Sequence, residues 1–122
     1  MSTMVVELKN GDTTAYFDGF TVCSCEPGPS AFQLFLTSLV SCAAYTAEAY
    51  CERKGLPIDG LKIHATAERD EKTRLATKIT YEYEFPADFP EKEKPLVLRA
   101  ANTCFVKKHL YTPPEFESII RQ

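Results

Sequence analysis

From Met4 to Leu8 the chain is rich in β-prone residues, and Asn10-Gly11-Asp12 follows as a strong turn signal. Thr13 to Phe17 can return antiparallel to that run. Asp18-Gly19 marks a second turn, and Phe20 to Cys25 a third strand. The first quarter therefore predicts a small antiparallel meander. Gly28-Pro29-Ser30 then opens a helix: proline suits the first turn, where its missing N–H is harmless, and the Ser30 hydroxyl can cap exposed amides. The spacing carries this helix to about Lys54, where Gly55 can terminate it, with Pro57 just beyond. Apolar residues lie nearly all round its first four turns, which predicts a helix enclosed by other layers of the protein.

A hairpin comes next. Leu61, Ile63, Ala65 and Ala67 alternate with Lys62, His64, Thr66 and Glu68. After the polar turn at Asp70-Glu71-Lys72-Thr73, the positions Leu75, Thr77, Ile79, Tyr81, Tyr83 and Phe85 oppose Lys78, Thr80, Glu82 and Glu84. Period-two alternation in both arms predicts one buried face, set against the long helix, and one wet face. Pro86 and Pro90 end the strand. A second helix is expected from Lys92 or Lys94 to Leu110, with Pro95 in its first turn and a stripe of Leu96, Ala100, Thr103 and Val106. Thr112-Pro113-Pro114 stops it, leaving Glu115 to Gln122 for a terminal strand or turn. The order βββ-α-ββ-α-β argues for an α+β fold in a single domain over residues 1–122.

Charge narrows the choice of partners. Fourteen basic and 17 acidic residues give a net charge of −3, with no basic stripe, so nucleic acid is not an expected partner. The stretch 27–47 carries no charge, yet Ser30, Gln33, Thr37, Ser38, Ser41 and Thr46 interrupt it, which excludes it as a membrane span. The N-terminus has neither the basic region nor the apolar run of a signal peptide. An odd number of cysteines, five, implies no disulfide framework, and the expected compartment is the cytoplasm.

Candidate chemistry rests with those cysteines. Cys42 lies mid-helix, with Ser38, Leu39, Tyr45 and Thr46 three or four positions away. Cys104, inside the second helix, has Ala100, Ala101, Lys107 and Lys108 at the same spacings. Small neighbours allow that helix a close approach to another, so two facing helices could bring the two sulfurs together. Either residue can equally serve as a small buried hydrophobe. Reactivity demands a lowered pKa and access, and the nearest cations in sequence are Lys107 and Lys108. Cys23-Ser24-Cys25 could form a redox or metal pair, since alternate strand residues share a face. With two histidines and no C-x-x-C, however, a zinc site lacks ligands, and both read as ordinary strand residues. Cys51 falls on the helix face opposite Cys42 and reads as a passive thiol. His109 suits a helix end and His64 the wet face of the hairpin. Glu82, Glu84, Glu91 and Glu93 read as solvated surface. No metal ligand set and no cofactor site is expected.

Gly28-Pro29-Ser30, Ser41-Cys42, Gly55-Leu56 and Cys104-Phe105-Val106-Lys107-Lys108-His109-Leu110 occur in an order and spacing that resembles the OsmC/Ohr family of two-cysteine thiol peroxidases. The resemblance implies antiparallel sheets wrapped around central helices in an intertwined homodimer, with each active site at the subunit interface. It implies Cys42 as the peroxidatic thiolate and Cys104 as the resolving thiol. The substrate would be an organic hydroperoxide and the reductant a cellular dithiol. The chain departs from that pattern at three points: no arginine precedes Arg53, Gln33 stands where the family has a glutamate, and Phe105 replaces the proline after the second cysteine. Those departures leave an alternative on the same fold, a non-catalytic small-ligand-binding protein or thiol redox sensor.

Overall fold

The computed structural model describes residues 4–122, which fall into two compact units, one ending at Thr37 and the other running from Ser38 to Gln122. In the first unit β1 (Val5–Lys9), β2 (Asp12–Phe17) and β3 (Phe20–Ser24) form the expected antiparallel meander in the order β1-β2-β3. Its register sets Val5 opposite Tyr16 and Phe17 opposite Phe20. The first turn works because Asn10 and Gly11 both take positive φ, 54° and 83°, the pairing a two-residue hairpin with right-handed strand twist requires. The Phe17 and Phe20 rings stack across the second turn at 4.7 Å.

Helix α1 (Ala31–Lys54) starts and stops on side chain and backbone chemistry that the sequence announces. Ser30 accepts the Gln33 N–H at 3.1 Å while the Gln33 side-chain oxygen accepts the Ser30 N–H at 2.8 Å, a reciprocal capping box. At the other end Gly55 takes φ 67°, Leu56 N–H donates to Cys51 O at 2.9 Å and Gly55 N–H to Glu52 O at 3.2 Å. That is a Schellman termination, and only glycine enters it without steric cost.

The second unit packs α1 against a hairpin of β4 (Lys62–Arg69) and β5 (Ala76–Glu84), with Ile63 opposite Tyr83 and Ala65 opposite Tyr81. Its core is small: Ala43, Ala47 and Cys51 of α1 meet Phe89, Val97 and Ala101, flanked by Leu61, Ile63, Tyr81, Tyr83 and Phe85. The hairpin's inner face thus covers the helix as expected. Leu75 and Thr77 do not join that face: both are exposed, because the ladder shifts register between Glu68 and Arg69 and only the stretch beyond it keeps the alternation. The enclosure predicted for α1 is also partial. Only Leu39, Ala43, Ala47 and Cys51, one stripe at four-residue spacing, are buried, and Tyr45 is 71% exposed.

The largest correction concerns the second helix. In place of one helix to Leu110 there is a 3₁₀ turn at Glu91–Glu93, then α2 (Lys94–Ala101), a break, and α3 (Phe105–Tyr111). At the break the Thr103 hydroxyl donates to Ala100 O at 2.7 Å, Thr103 N–H bonds the same carbonyl at 3.0 Å, and Cys104 turns extended at φ −62°, ψ 146°. Thr103 competes for a backbone carbonyl in this way, which is why such residues favour helix ends over interiors. Beyond Thr112 the residues 113–122 form no strand and lie exposed, so the expected terminal β element is absent there.

Candidate functional site

The break in the second helix brings two sulfurs under one set of amides. Cys104 is the N-cap of α3, its sulfur accepting the Lys107 N–H at 3.4 Å. Cys42, from the middle of α1, accepts the Val106 N–H at 3.5 Å. Each thiol also acts on the other's acidity, Cys104 lowering Cys42 and Cys42 raising Cys104. Cys104 is buried, whereas Cys42 remains partly open to solvent. The structure therefore joins the two cysteines that the sequence singled out, but through a helix start and not through two facing helix flanks.

Their environments push the two acidities apart. Burial raises the Cys42 thiol, but the Val106 N–H, the Cys104 thiol and the Phe105 N–H outweigh it, and the net pKa falls below the ordinary cysteine value. At Cys104 burial also raises the pKa, the Lys107 N–H opposes it, and the neighbouring Cys42 adds to the rise. The Lys107 charge acts on Cys104 in the lowering direction. A lowered, partly accessible thiol therefore accompanies a raised, buried one, and of the two Cys42 is the better populated as thiolate.

A cavity of about 270 Å³ is lined by Leu39, Ile79, Leu98 and Leu110 with Tyr81, Tyr83, Asn102 and Lys107, the last being the residue whose N–H bonds Cys104. Burial raises the Tyr81 hydroxyl, and the charges of Cys104 and Cys42 raise it further, so this ring shares the sulfurs' surroundings. Tyr83 is pushed up to about 12, first by burial and then by Tyr81 and Cys104, and its hydroxyl has no hydrogen-bond partner among the described residues. The Lys107 ammonium sits over the Tyr81 ring, 5.6 Å from its centroid, and 3.5 Å from the Asn102 side-chain oxygen. The wall is thus apolar with one cation and two phenols, a lining suited to a mostly hydrocarbon molecule with one polar group.

The remaining candidates separate. Cys51 is wholly buried in the core with a raised pKa, caused by burial and then by Glu93, as befits a passive thiol. His64 pairs with Glu84 at 2.9 Å on the exposed hairpin face. His109 Nδ1 bonds the Phe105 carbonyl at 3.0 Å within α3, away from a role as base. Gln33, at the family's glutamate position, is occupied by the capping box. The expectation that fails is at Cys23 and Cys25: they are joined in a disulfide, Cα atoms 5.6 Å apart, and are not two separate strand thiols. Sequence reasoning also missed the Phe105 and Val106 amides. The signal for them was Asn102-Thr103, two cap-forming residues just before Cys104.

The profile of the OsmC-like protein family matches residues 24–118, which takes in the helix opening, both cysteines and the hairpin. The chain belongs to the OsmC-like family. Solved structures agree on the fold. One from Psychrobacter arcticus 273-4, described as an osmotic stress induced and detoxification response protein, superposes with a TM-score of 0.78 at 19% identity, covering 88% of this chain and 87% of that one. An OsmC-like protein from Mycoplasma pneumoniae gives 0.77 at 18% identity, covering 93% and 89%. A hypothetical protein from Aquifex aeolicus VF5 gives 0.80 at 18% identity, again covering 93% and 89%. No curated protein matches the chain. Among the described residues no helix is long and apolar enough to cross a membrane.

Proposed function

We propose that this OsmC-like protein is a thiol-dependent reductase of organic hydroperoxides in which Cys42 is the peroxidatic and Cys104 the resolving cysteine. The observation that supports the reading is the pair itself: two free thiols, each accepting an N–H from the first turn of α3. The Cys42 thiolate attacks the O–O bond of ROOH, forming a sulfenic acid and releasing RO⁻, which takes a proton to become ROH. The Cys104 thiolate then attacks the Cys42 sulfur, a disulfide forms, and hydroxide leaves as water. A cellular dithiol reduces that disulfide and is itself oxidised. No arginine enters this scheme. N–H groups at the α3 start hold the Cys42 thiolate, and the Lys107 charge lowers the Cys104 pKa against its burial. The cavity that Lys107 lines takes the hydrocarbon part of the peroxide.

The reading includes a second copy of the chain. Met4, Val5, Val6 and Leu8 of the meander are 54–74% exposed, and Phe116, Ile119 and Ile120 are 82–90% exposed, large apolar residues that a homodimer partner would cover. Light scattering at micromolar concentration should give twice the chain mass.

Dithiol-dependent consumption of an organic hydroperoxide is the test of function. Cys42→Ser should abolish turnover, and Cys104→Ser should complete one oxidation and stop at a sulfenic acid trapped by a dimedone-type reagent. Undiminished turnover by Cys42→Ser would end the proposal. Loss of all peroxide consumption in the wild type, with saturable binding of an apolar ligand, would instead favour the non-catalytic binding reading, which the cavity beside Tyr81 and Tyr83 also accommodates.

A further inference from the structure

We propose that Cys23 and Cys25 form a second redox site, a disulfide that exchanges two electrons with dithiols independently of Cys42. The pair closes at the end of β3, with Cys23 in the ladder opposite Thr14 and Cys25 just past the strand. Both are half-buried, so neither sulfur is sealed in the way Cys51 is. Cys25 also forms part of the wall of an open, polar cavity of about 260 Å³, with Asp12, Ser24, Glu26, Ser30 and Gln33 around it. That opening makes Cys25 the sulfur an incoming thiolate reaches. A disulfide so placed serves exchange better than stapling, because a loop closed over two residues removes little chain entropy from the unfolded state.

In the exchange a thiolate of the dithiol attacks Cys25 Sγ, the S–S bond breaks, and Cys23 leaves as a thiolate that takes up a proton. The second thiolate of the reductant attacks its own sulfur in the mixed disulfide. It closes as a cyclic disulfide and expels Cys25. The protein gains two electrons and two protons, and the dithiol loses them. A monothiol stops halfway: Cys23, tethered two residues from the mixed disulfide, recloses the ring at high effective concentration and ejects it. Asp12 and Glu26 at the cavity further disfavour an anionic monothiol such as glutathione.

The test uses the full chain, purified in air and incubated with dithiothreitol or with glutathione at equal thiol concentration, then alkylated. Chymotryptic cleavage after Phe20 and Phe32 places Cys23 and Cys25 on one peptide apart from Cys42. Dithiothreitol should convert that peptide directly from the unmodified to the doubly alkylated form, and glutathione should require at least about tenfold more thiol. Cys42→Ser should give the same titration. The proposal is overturned if the peptide is fully alkylated before any reductant is added, or if dithiothreitol opens it only in denaturant. It is overturned equally if the disulfide fails to form in Cys42→Ser, which would make it a by-product of the other pair.

Discussion

The two cysteine pairs of this molecule are built by different means. Cys23, the next-to-last residue of β3, and Cys25, just past its end, are two residues apart, so their pairing needs only local backbone. Cys42 and Cys104 come from different helices, and they meet only when α1 packs on the β4–β5 hairpin and the second helix breaks at Asn102-Thr103. The first pair is a bonded disulfide in a polar setting; the second is a pair of thiols whose acidities are split by burial and by the amides of α3. Proximity alone therefore does not distinguish a reactive pair. What distinguishes the second is tertiary structure that brings the N–H groups of the first turn of α3 to both sulfurs.

The contrast can be broken hardest at the core. Val97 is fully buried among Ala43, Ala47 and Ala101, so Val97→Asp places a charge where none can be paired, costing several kcal/mol against a total stability of about 5–15. Oxidative formation of a Cys42–Cys104 crosslink should be lost in this variant, whereas the Cys23–Cys25 crosslink should survive. The milder Val97→Ala should cost about 2 kcal/mol in denaturant unfolding and leave both crosslinks intact.

Alkaline titration should act on the same region. Tyr83 has its pKa raised from 10.0 to about 12, so its neutral form is favoured by folding. The sign follows directly: the stabilisation is complete below pH 10 and is lost as pH rises towards 12. Melting temperature should fall across that window in the wild type and fall less in Tyr83→Phe, with tyrosinate absorbance reporting the late ionisation.

Smaller effects should separate the start of α1 from the site. Ser30→Ala removes half of the capping box and should cost about 1 kcal/mol in unfolding, while alkylation of Cys42, about three turns further along the helix, keeps its rate. Phe105→Pro should be the gentlest change in stability. Phe105 is 71% exposed at the first position of α3, and Cys104 before it already has ψ 146°, the conformation a proline demands of its predecessor. The substitution deletes the Phe105 N–H that helps hold the Cys42 thiolate, so the pH midpoint of Cys42 alkylation should move up.

Much of this was legible in the sequence because it depends on short-range rules. Asn10-Gly11, the Ser30 cap and Gly55 each fix a boundary by local backbone chemistry, and all three lie where expected. The hairpin face was readable from alternation up to the point where the register shifts at Glu68, a displacement that no residue pattern announces. Helix periodicity misled at Cys104: the stripe Leu96, Ala100, Thr103 and Val106 satisfies a continuous helix, and the side-chain competition of Thr103 for Ala100 O breaks it. The same break hid the donors to Cys42, because backbone amides have no residue type to recognise. Gln33 shows the converse. It looked like a lost catalytic carboxylate and is an intact cap.

The central claim is that Cys42 and Cys104 act as one redox pair. Peptide mapping after a single equivalent of organic hydroperoxide tests it most directly, with cleavage at Leu98 and Phe105 isolating Cys104 and with Cys42 on its own peptide. The account predicts a Cys42–Cys104 disulfide as the first new species, formed at the rate the peroxide is consumed, with Cys51 unmodified. Oxidation appearing first at Cys51, or a stable sulfenic acid on Cys42 while Cys104 stays alkylatable, would contradict it.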